Sequence, residues 1–251
     1  MRIRDAVCSL LILAGTAAHA TLAVADDATD KLAVLKATLQ SRFLDVEILD
    51  VAPAQIPGLY EVFTGDAIAY SDGTGDHLLV GSLVDTRTRQ NLTSERLDAR
   101  NSIDYRTLPF DKAIKVVKGK GTRQMAVFSD PDCPYCQKLE HELASVDDVT
   151  VNIFLFPLTS LHPDARNKAH ALWCAQDRST AWTHWMIDKK LPEDSGCKVD
   201  PLDELQALGE KLRISSTPTI FLSNGRRIGG SVPTARLEKL LTNPAAQGAD
   251  F

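Results

Sequence analysis

The spacing of apolar positions changes character several times along the chain. The opening couples Arg2 and Arg4 to an apolar run, Ala6–Gly15, carrying Leu10, Leu11, Ile12 and Leu13. Small-x-small triplets follow at Ala18-His19-Ala20 and Ala23-Val24-Ala25. A basic start, a short apolar stretch and a small-residue exit describe a cleaved secretory signal, and residues 1–25 are assigned to it. Cleavage after Ala25 is preferred to Ala20 because it leaves polar Asp26-Asp27 at the new start. A membrane anchor needs about 18 or more apolar residues in a row, and this run is too short. Cys8 lies inside the run instead of behind a small-residue site, which argues against a lipoprotein.

From Asp26, Leu32, Leu35, Leu39 and Phe43 recur at spacings of three and four, which predicts a helix with one apolar face. Pro53 and Pro57 close that region. Short strand-like runs follow at Leu59–Thr64, Ala67–Ser71 and His77–Asp85, broken by Gly65-Asp66 and Asp72-Gly73-Thr74-Gly75. Residues 26–90 therefore read as an α+β unit with a small core and open sheet edges. Such a unit is stabilised by pairing with a second copy or by packing on its neighbour in the same chain, and the pattern leaves both open. Residues 91–107 are polar and predict a linker helix, with Ser94 as its cap and Asp98 favouring its dipole. Pro109 breaks that helix at the latest. Asn91-Leu92-Thr93 also fits a glycosylation sequon, relevant only in a eukaryotic secretory pathway.

Residues 108–251 alternate between the two periods. Ile114–Val117 and Gln124–Phe128 are strand-like and joined by the turn Gly119-Lys120-Gly121. A helix, Cys136–Ser145, precedes a continuous apolar strand, Val149–Phe156. An insertion of about 157–213 carries helices at Asp164–Ala175, Ala181–Lys189 and Pro201–Lys211. Strand Thr219–Leu222 turns at Asn224-Gly225 into Arg226–Gly229, and a last helix spans Thr234–Leu241. This order predicts an α/β domain.

Composition adds bounds. With 251 residues and 44% hydrophobic, the chain can fill two domain cores beyond the signal. A net charge of −5 without any long Lys/Arg cluster excludes nucleic acid or anionic lipid as the main partner. The 5 cysteines are Cys8, Cys133, Cys136, Cys174 and Cys197. Export removes Cys8 and leaves an even set, which in a secreted protein is read as disulfides.

Cys133-Pro134-Tyr135-Cys136 sits where a strand ends and a helix begins. There the helix dipole and its first N–H groups favour a thiolate at Cys133. Cys133 can attack a substrate disulfide, and Cys136 can resolve the mixed disulfide. Pro134 fits the helix start, where its missing N–H costs little. Structural zinc needs about four ligands, and this motif with His141 offers three at most. A c-type haem needs His after the second cysteine, where Gln137 stands. A purely structural disulfide would close an unusually small loop. The motif therefore reads as a redox pair that needs no cofactor and no metal.

Ser216-Thr217-Pro218-Thr219-Ile220 places a proline just ahead of an apolar strand. With the cysteine motif, this resembles the thioredoxin superfamily, whose cis-proline loop packs on the Cys-x-x-Cys and offers backbone groups to an extended substrate. The resemblance implies a cis Pro218, Thr217 facing the cysteines, and substrate contacts from Thr217, Pro218, Pro134 and Tyr135.

The whole layout resembles the bacterial periplasmic protein-disulfide isomerases of the DsbC/DsbG type. It does so at Val127-Phe128-Ser129-Asp130, Leu172-Trp173-Cys174-Ala175, Ser195-Gly196-Cys197-Lys198-Val199-Asp200, Ser216-Thr217-Pro218 and Leu222-Ser223-Asn224-Gly225. The resemblance covers essentially all of the mature chain. It implies a cystatin-like N-terminal dimerisation domain (26–90), a linker helix and a thioredoxin-fold catalytic domain with a helical insertion. It further implies a V-shaped homodimer, misfolded exported proteins as clients, and a membrane reductase of the DsbD kind as electron donor. A structural disulfide Cys174–Cys197 follows from the same resemblance, with a loop length worth about 3 kcal/mol. A second redox pair there would lack helix-start geometry. Trp173, Trp182 and Trp185 read as core and not as binding anchors.

One departure stands out. Isomerases of this type more often carry glycine and tyrosine between the cysteines, whereas the Cys-Pro-Tyr-Cys seen here occurs in glutaredoxins and the DsbG branch. The dipeptide tunes reduction potential. Three activities stay open: disulfide isomerase, a DsbG-type reductase of sulfenylated cysteines, or mainly a client-binding chaperone.

Overall fold

A computed structural model describes residues 20–193 and 196–244, with side chains from Thr29 onward. The expected signal segment, with Cys8, lies outside the described residues as far as His19; the backbone of Ala20–Ala25 is helical. The chain divides into two compact units, one ending at Gly81 and the other beginning at Ser82. Among the described residues, no helix is long and apolar enough to cross a membrane.

In the first unit, helix α1 (Ala20–Arg42) packs on an antiparallel sheet of β1 (Asp50–Pro53), β2 (Leu59–Phe63), β3 (Ile68–Asp72) and β4 (Leu78–Leu79), in that spatial order. Leu35 and Leu39 are buried with Ile48, Val51 and Val62, and Leu32 packs against them. Phe43 does not join this stripe: it lies past the helix end and is 40% exposed. The cause is Gln40, whose amide donates to the carbonyls of Phe43 and Val46 and accepts from the N–H of Ile48, turning the chain back before another helical turn forms. Prolines were expected to close the helical region, yet the helix ends well before Pro53, which terminates β1. That strand gave no readable alternation because it has only four residues. The run His77–Asp85 is not one strand either. It separates into β4 and β5 (Val84–Asp85), with Gly81 and Ser82 between them.

The second unit opens with a small hairpin of β5 and β6 (Gln90–Asn91), leading into α2 (Leu92–Asn101). The cap of α2 is Asn91, not Ser94: Asn91 Oδ1 accepts from the Ser94 N–H at 3.0 Å. Asparagine holds the cap better here because its side chain already stands one residue ahead of the first helical position. Asp98 forms an ion pair with Arg226 at 2.8 Å. The helix ends at Asn101, and two single 3₁₀ turns, Tyr105–Thr107 and Phe110–Lys112, fill the way to the main sheet.

That sheet contains β7 (Ile114–Lys118), β8 (Arg123–Ser129), β9 (Val149–Leu155), β10 (Thr219–Leu222) and β11 (Arg227–Gly229), in the order β11-β10-β8-β9-β7. Only β8 and β9 are parallel. Although only four residues join β7 to β8, the two strands are not neighbours; β9 lies between them. The connection must pass the start of β9 closely. Gly121 has φ +65°, and a Cβ there would stand 2.7 Å from Thr150 Oγ1 and 2.8 Å from Val117. Every residue of β9 is buried, as expected for an inner strand. Its polar Asn152 is satisfied by the carbonyl of Met125 at 3.1 Å.

Around the sheet pack α3 (Pro134–Ala144), α4 (Ala165–Cys174), α5 (Arg178–Asp188), α6 (Leu202–Lys211) and α7 (Thr234–Thr242). The core centres on Phe128, stacked on Phe154 at 5.0 Å and meeting Phe156 and Phe221 edge-on. Trp182 is fully buried and Trp173 nearly so, in line with a core role.

The segment after α2 is laid along the β10–β11 turn, where the Ile103 N–H donates to the Gly225 carbonyl at 3.0 Å. Gly225 has φ +88°, and a Cβ would stand 1.9 Å from the Ile103 carbonyl oxygen. Backbone cannot yield as a flexible side chain does, so Gly225→Ala should destabilise the second unit by at least about 2 kcal/mol. Urea unfolding measures this; a loss under about 0.5 kcal/mol, the range of ordinary surface changes, would contradict the close approach.

Candidate active site

Strand β8 delivers the chain to the cysteine motif, and helix α3 starts sooner than the sequence suggested. Pro134 occupies the first helical position, and the Cys133 carbonyl already accepts from the N–H groups of Cys136 and Gln137. The helix therefore begins at Pro134 and not at Cys136, because proline's fixed φ is preorganised for the first turn. Cys133 becomes the N-cap residue, with φ −72° and ψ 121°. Both cysteines are free thiols and both are buried, Cys133 at 5% exposure and Cys136 at 0%. Tyr135, between them, is 65% exposed.

The register of β10 on β8 brings the proline loop here. Thr219 pairs with Phe128, so the residues just before β10 lie beyond the end of β8, where the cysteine motif begins. The Thr217–Pro218 peptide bond is cis. The Cys133 thiol donates to the Thr217 carbonyl at 3.3 Å, and Thr217 is buried beside it. Thus Cys133, Cys136, Thr217 and Pro218 converge, with Pro134 and Tyr135 on the adjoining turn. Cys174 and Cys197 stand apart from this group, joined to each other with their Cα atoms 5.5 Å apart.

The two thiols differ sharply. Hydrogen bonding with the Cys136 thiol draws Cys133 down to about 5, opposed by burial and helped by the Thr217 side chain and the backbone N–H groups of Cys136 and Tyr135. Burial pushes Cys136 far up, and the neighbouring Cys133 thiolate reinforces that shift. At neutral pH the pair therefore holds one thiolate, on the first cysteine.

Further residues frame the motif. Asp130 is fully buried; its carboxylate accepts from the N–H of Asp132 (2.7 Å), the N–H of Leu158 (2.7 Å) and Nδ1 of His162 (2.9 Å). The bond to Asp130 raises the His162 pKa. Asp132 pairs with Lys168 at 2.7 Å, and Lys168 lies 5.3 Å from the Trp185 ring centre. Trp185 Nε1 in turn donates to the Pro131 carbonyl at 2.7 Å. One turn beyond Cys136, Glu140 is buried and accepts from Trp182 Nε1 at 2.8 Å, and burial raises its pKa. Sequence reasoning assigned none of these a role. An acidic residue three before the first cysteine was the one visible signal; His162, Lys168 and Trp185 reach the site only through the fold. His141, considered above as a metal ligand, is exposed on α3.

A family model described as a thioredoxin-like domain matches residues 110–244, and one described as the disulfide bond isomerase protein N-terminal domain matches residues 19–94. Over 222 residues the chain is 39% identical to a probable thiol:disulfide interchange protein DsbC of Bordetella avium, covering 88% of this chain and 78% of that protein. The chain belongs to the DsbC family. A DsbC from Escherichia coli K12 is 30% identical over 230 residues, covering 90% of this chain and 91% of its own. The crystal structure of a disulfide interchange protein from Neisseria gonorrhoeae aligns with a TM-score of 0.54 and 44% identity, over 56% of this chain and 100% of that one. This DsbC-family chain thus combines an α+β N-terminal domain with a thioredoxin-fold domain, and it is a thiol:disulfide oxidoreductase of the disulfide isomerase class.

The low Cys133 pKa sets a pH window. Folding shifts Cys133 from its ordinary 9.0 to about 5, so between those values the unfolded chain binds the extra proton. Stability of the reduced protein gains from this group as pH rises through that range, and the gain is lost as pH falls through about 5. Iodoacetamide alkylation of the reduced protein, mapped by mass spectrometry, should label Cys133 with a midpoint near pH 5. Cys136 should stay unlabelled at neutral pH. A Cys133 midpoint above pH 8 would contradict the asymmetry.

Proposed function

We propose that this protein reshuffles incorrect disulfides in exported proteins, with Cys133 as nucleophile and Cys136 as resolving thiol. The observation that carries the reading is the asymmetry of the pair: a thiolate at the helix N-cap beside a deeply buried thiol that keeps its proton. Cys133 Sγ⁻ attacks one sulfur of a client disulfide; that S–S bond breaks and the other client sulfur leaves as thiolate. A client thiolate then attacks the mixed disulfide and frees Cys133, completing isomerisation without net oxidation. Alternatively Cys136 loses its proton and attacks Cys133, so the client leaves reduced and the enzyme oxidised. That second exit requires a reductant, a role we assign to a membrane reductase of the DsbD kind. Thr217 and Pro218 would hold an extended client segment beside Cys133, where the cis bond places them. Exposed Tyr135, and Pro134 beside it, would form the other lip. Cys174–Cys197 serves as a structural staple of the insertion. Residues 1–25 export the chain to the periplasm, the compartment where such clients acquire disulfides.

The N-terminal unit supports a homodimer. Its last strand, β4, is a sheet edge carrying Leu78, Leu79 and, just beyond, Val80 at 83% exposure. An apolar open edge recruits another strand, and a second copy would bury it. A reductase acting on single sulfenylated cysteines, as in the DsbG branch, is the second reading, favoured by Pro134 between the cysteines.

Refolding of a scrambled multi-disulfide protein tests the main reading. Cys133→Ala should abolish it, while Cys136→Ala should keep part of the isomerisation because the client can complete the exchange itself. Retained activity in Cys133→Ala would sink the nucleophile assignment, and faster turnover on a sulfenylated single-cysteine protein than on the scrambled one would favour the second reading. For assembly, Leu79→Lys with Val80→Lys should halve the sedimenting mass of the protein. An unchanged dimer would move the interface elsewhere.

A further inference from the structure

The second cysteine pair is embedded in a set of donors that a structural staple does not need. His170 and Cys174 lie one turn apart on α4, with Cys174 Sγ 3.5 Å from His170 Nε2. The ligand atoms of His170, Cys174 and Cys197 all lie within 4.8 Å of one another. Zinc binds imidazole nitrogen at about 2.0–2.1 Å and thiolate at about 2.3 Å, which puts tetrahedral N and S ligands about 3.6 Å apart. The observed N–S separation already matches that edge.

A second observation concerns the far side of the imidazole. His170 Nδ1 bonds Asp200 Oδ2 at 2.5 Å, while Asp200 Oδ1 accepts from the N–H of Leu202 at the start of α6. The carboxylate is thus itself held, and it orients the ring with Nε2 towards the Cys174 sulfur. A carboxylate behind a ligating imidazole is the usual support of a zinc histidine. Access is open as well: the His170 side chain is 28% exposed and Cys197 only half-buried.

We propose that when the Cys174–Cys197 disulfide is reduced, His170 Nε2, Cys174 Sγ and Cys197 Sγ bind one zinc ion, with Asp200 as positioning residue and the fourth position open to water. The reductant is a dithiol. Two electrons and two protons turn the disulfide into two thiols while the dithiol closes to its own disulfide, and zinc binding then releases the two thiol protons. With three protein ligands the site is open and not a closed structural one, so zinc is an exchangeable occupant of the reduced pair that disulfide formation expels. The inference goes beyond the isomerase reading and does not depend on it.

The test uses the full chain carrying Cys8→Ser, Cys133→Ser and Cys136→Ser, so that Cys174 and Cys197 are the sole cysteines. Reduction with a phosphine, which adds no thiol, is followed by titration with zinc against a chromophoric chelator, and with cobalt(II) as a spectroscopic substitute. One equivalent should bind the reduced chain and none the oxidised chain, and cobalt should give thiolate charge-transfer and tetrahedral ligand-field bands. Asp200→Asn keeps a hydrogen-bond acceptor for His170 and should weaken zinc binding roughly 10–100-fold. His170→Ala should weaken it further and alter the cobalt spectrum, with circular dichroism of its oxidised form confirming the fold. Absence of zinc binding by the reduced chain would overturn the proposal. So would unchanged affinity in His170→Ala, which would leave a pair of thiols with no histidine.

Discussion

The reactive end of the second unit depends on one buried carboxylate. Asp130 carries no solvent exposure, and an ionised carboxyl in that position costs several kcal/mol unless donors surround it. Here three donors converge, from Asp132, Leu158 and His162. Satisfying that group draws together the end of β8, the segment just after β9 and the approach to α4. The next two residues are held as well, Pro131 through its carbonyl by Trp185 and Asp132 through its carboxylate by Lys168. Every residue between β8 and Cys133 is therefore fixed by a different part of the insertion, and the first cysteine has little choice but to cap α3. The insertion is thus a brace for the catalytic turn as well as an ornament of the fold.

How much of this was readable in the chain follows from the range of the interactions. The main strands and helices of the second unit were legible because their period is local: β9 reads as an unbroken apolar run, and α3 announces itself by Pro134. The cysteine pair and the proline loop were legible because each is a short motif with its own chemistry. What escaped were features set by partners distant in sequence. Phe43 continues the spacing of α1 but is turned out by Gln40, which binds groups beyond the helix. The cap of α2 was misplaced by three residues because Asn91 and Ser94 are both good capping types, and only the backbone geometry decides between them. His162 and Lys168 carry no motif; they matter only because the loop into α4 and the first turn of that helix meet Asp130 and Asp132.

The four cysteines of the described chain illustrate how little composition says about reactivity. Cys133 and Cys136 share a turn but not an environment: one accepts the field of a helix start, the other is sealed against the core. Cys174 ends a helix and meets Cys197 across a loop. Identical side chains acquire opposite acidities, or a covalent bridge, from burial and hydrogen bonding.

The crossing of β7 and β8 around β9 bears on the order in which the protein can assemble. Neither strand can pair with the other, so the first half of the main sheet has no local hairpin; the one it has, β10–β11, comes last in the chain. β8 waits for β9, and its other edge waits for β10, which arrives only after the whole insertion has been synthesised. Pairings so distant in sequence are slow to form. The Thr217 carbonyl that meets Cys133 is carried in by that late strand. A chain emerging from its N-terminus thus exposes Cys133 and Cys136 well before the loop that frames them exists. The geometry that tunes this pair is a property of the finished domain, so the thiol pair acquires its unequal acidities last.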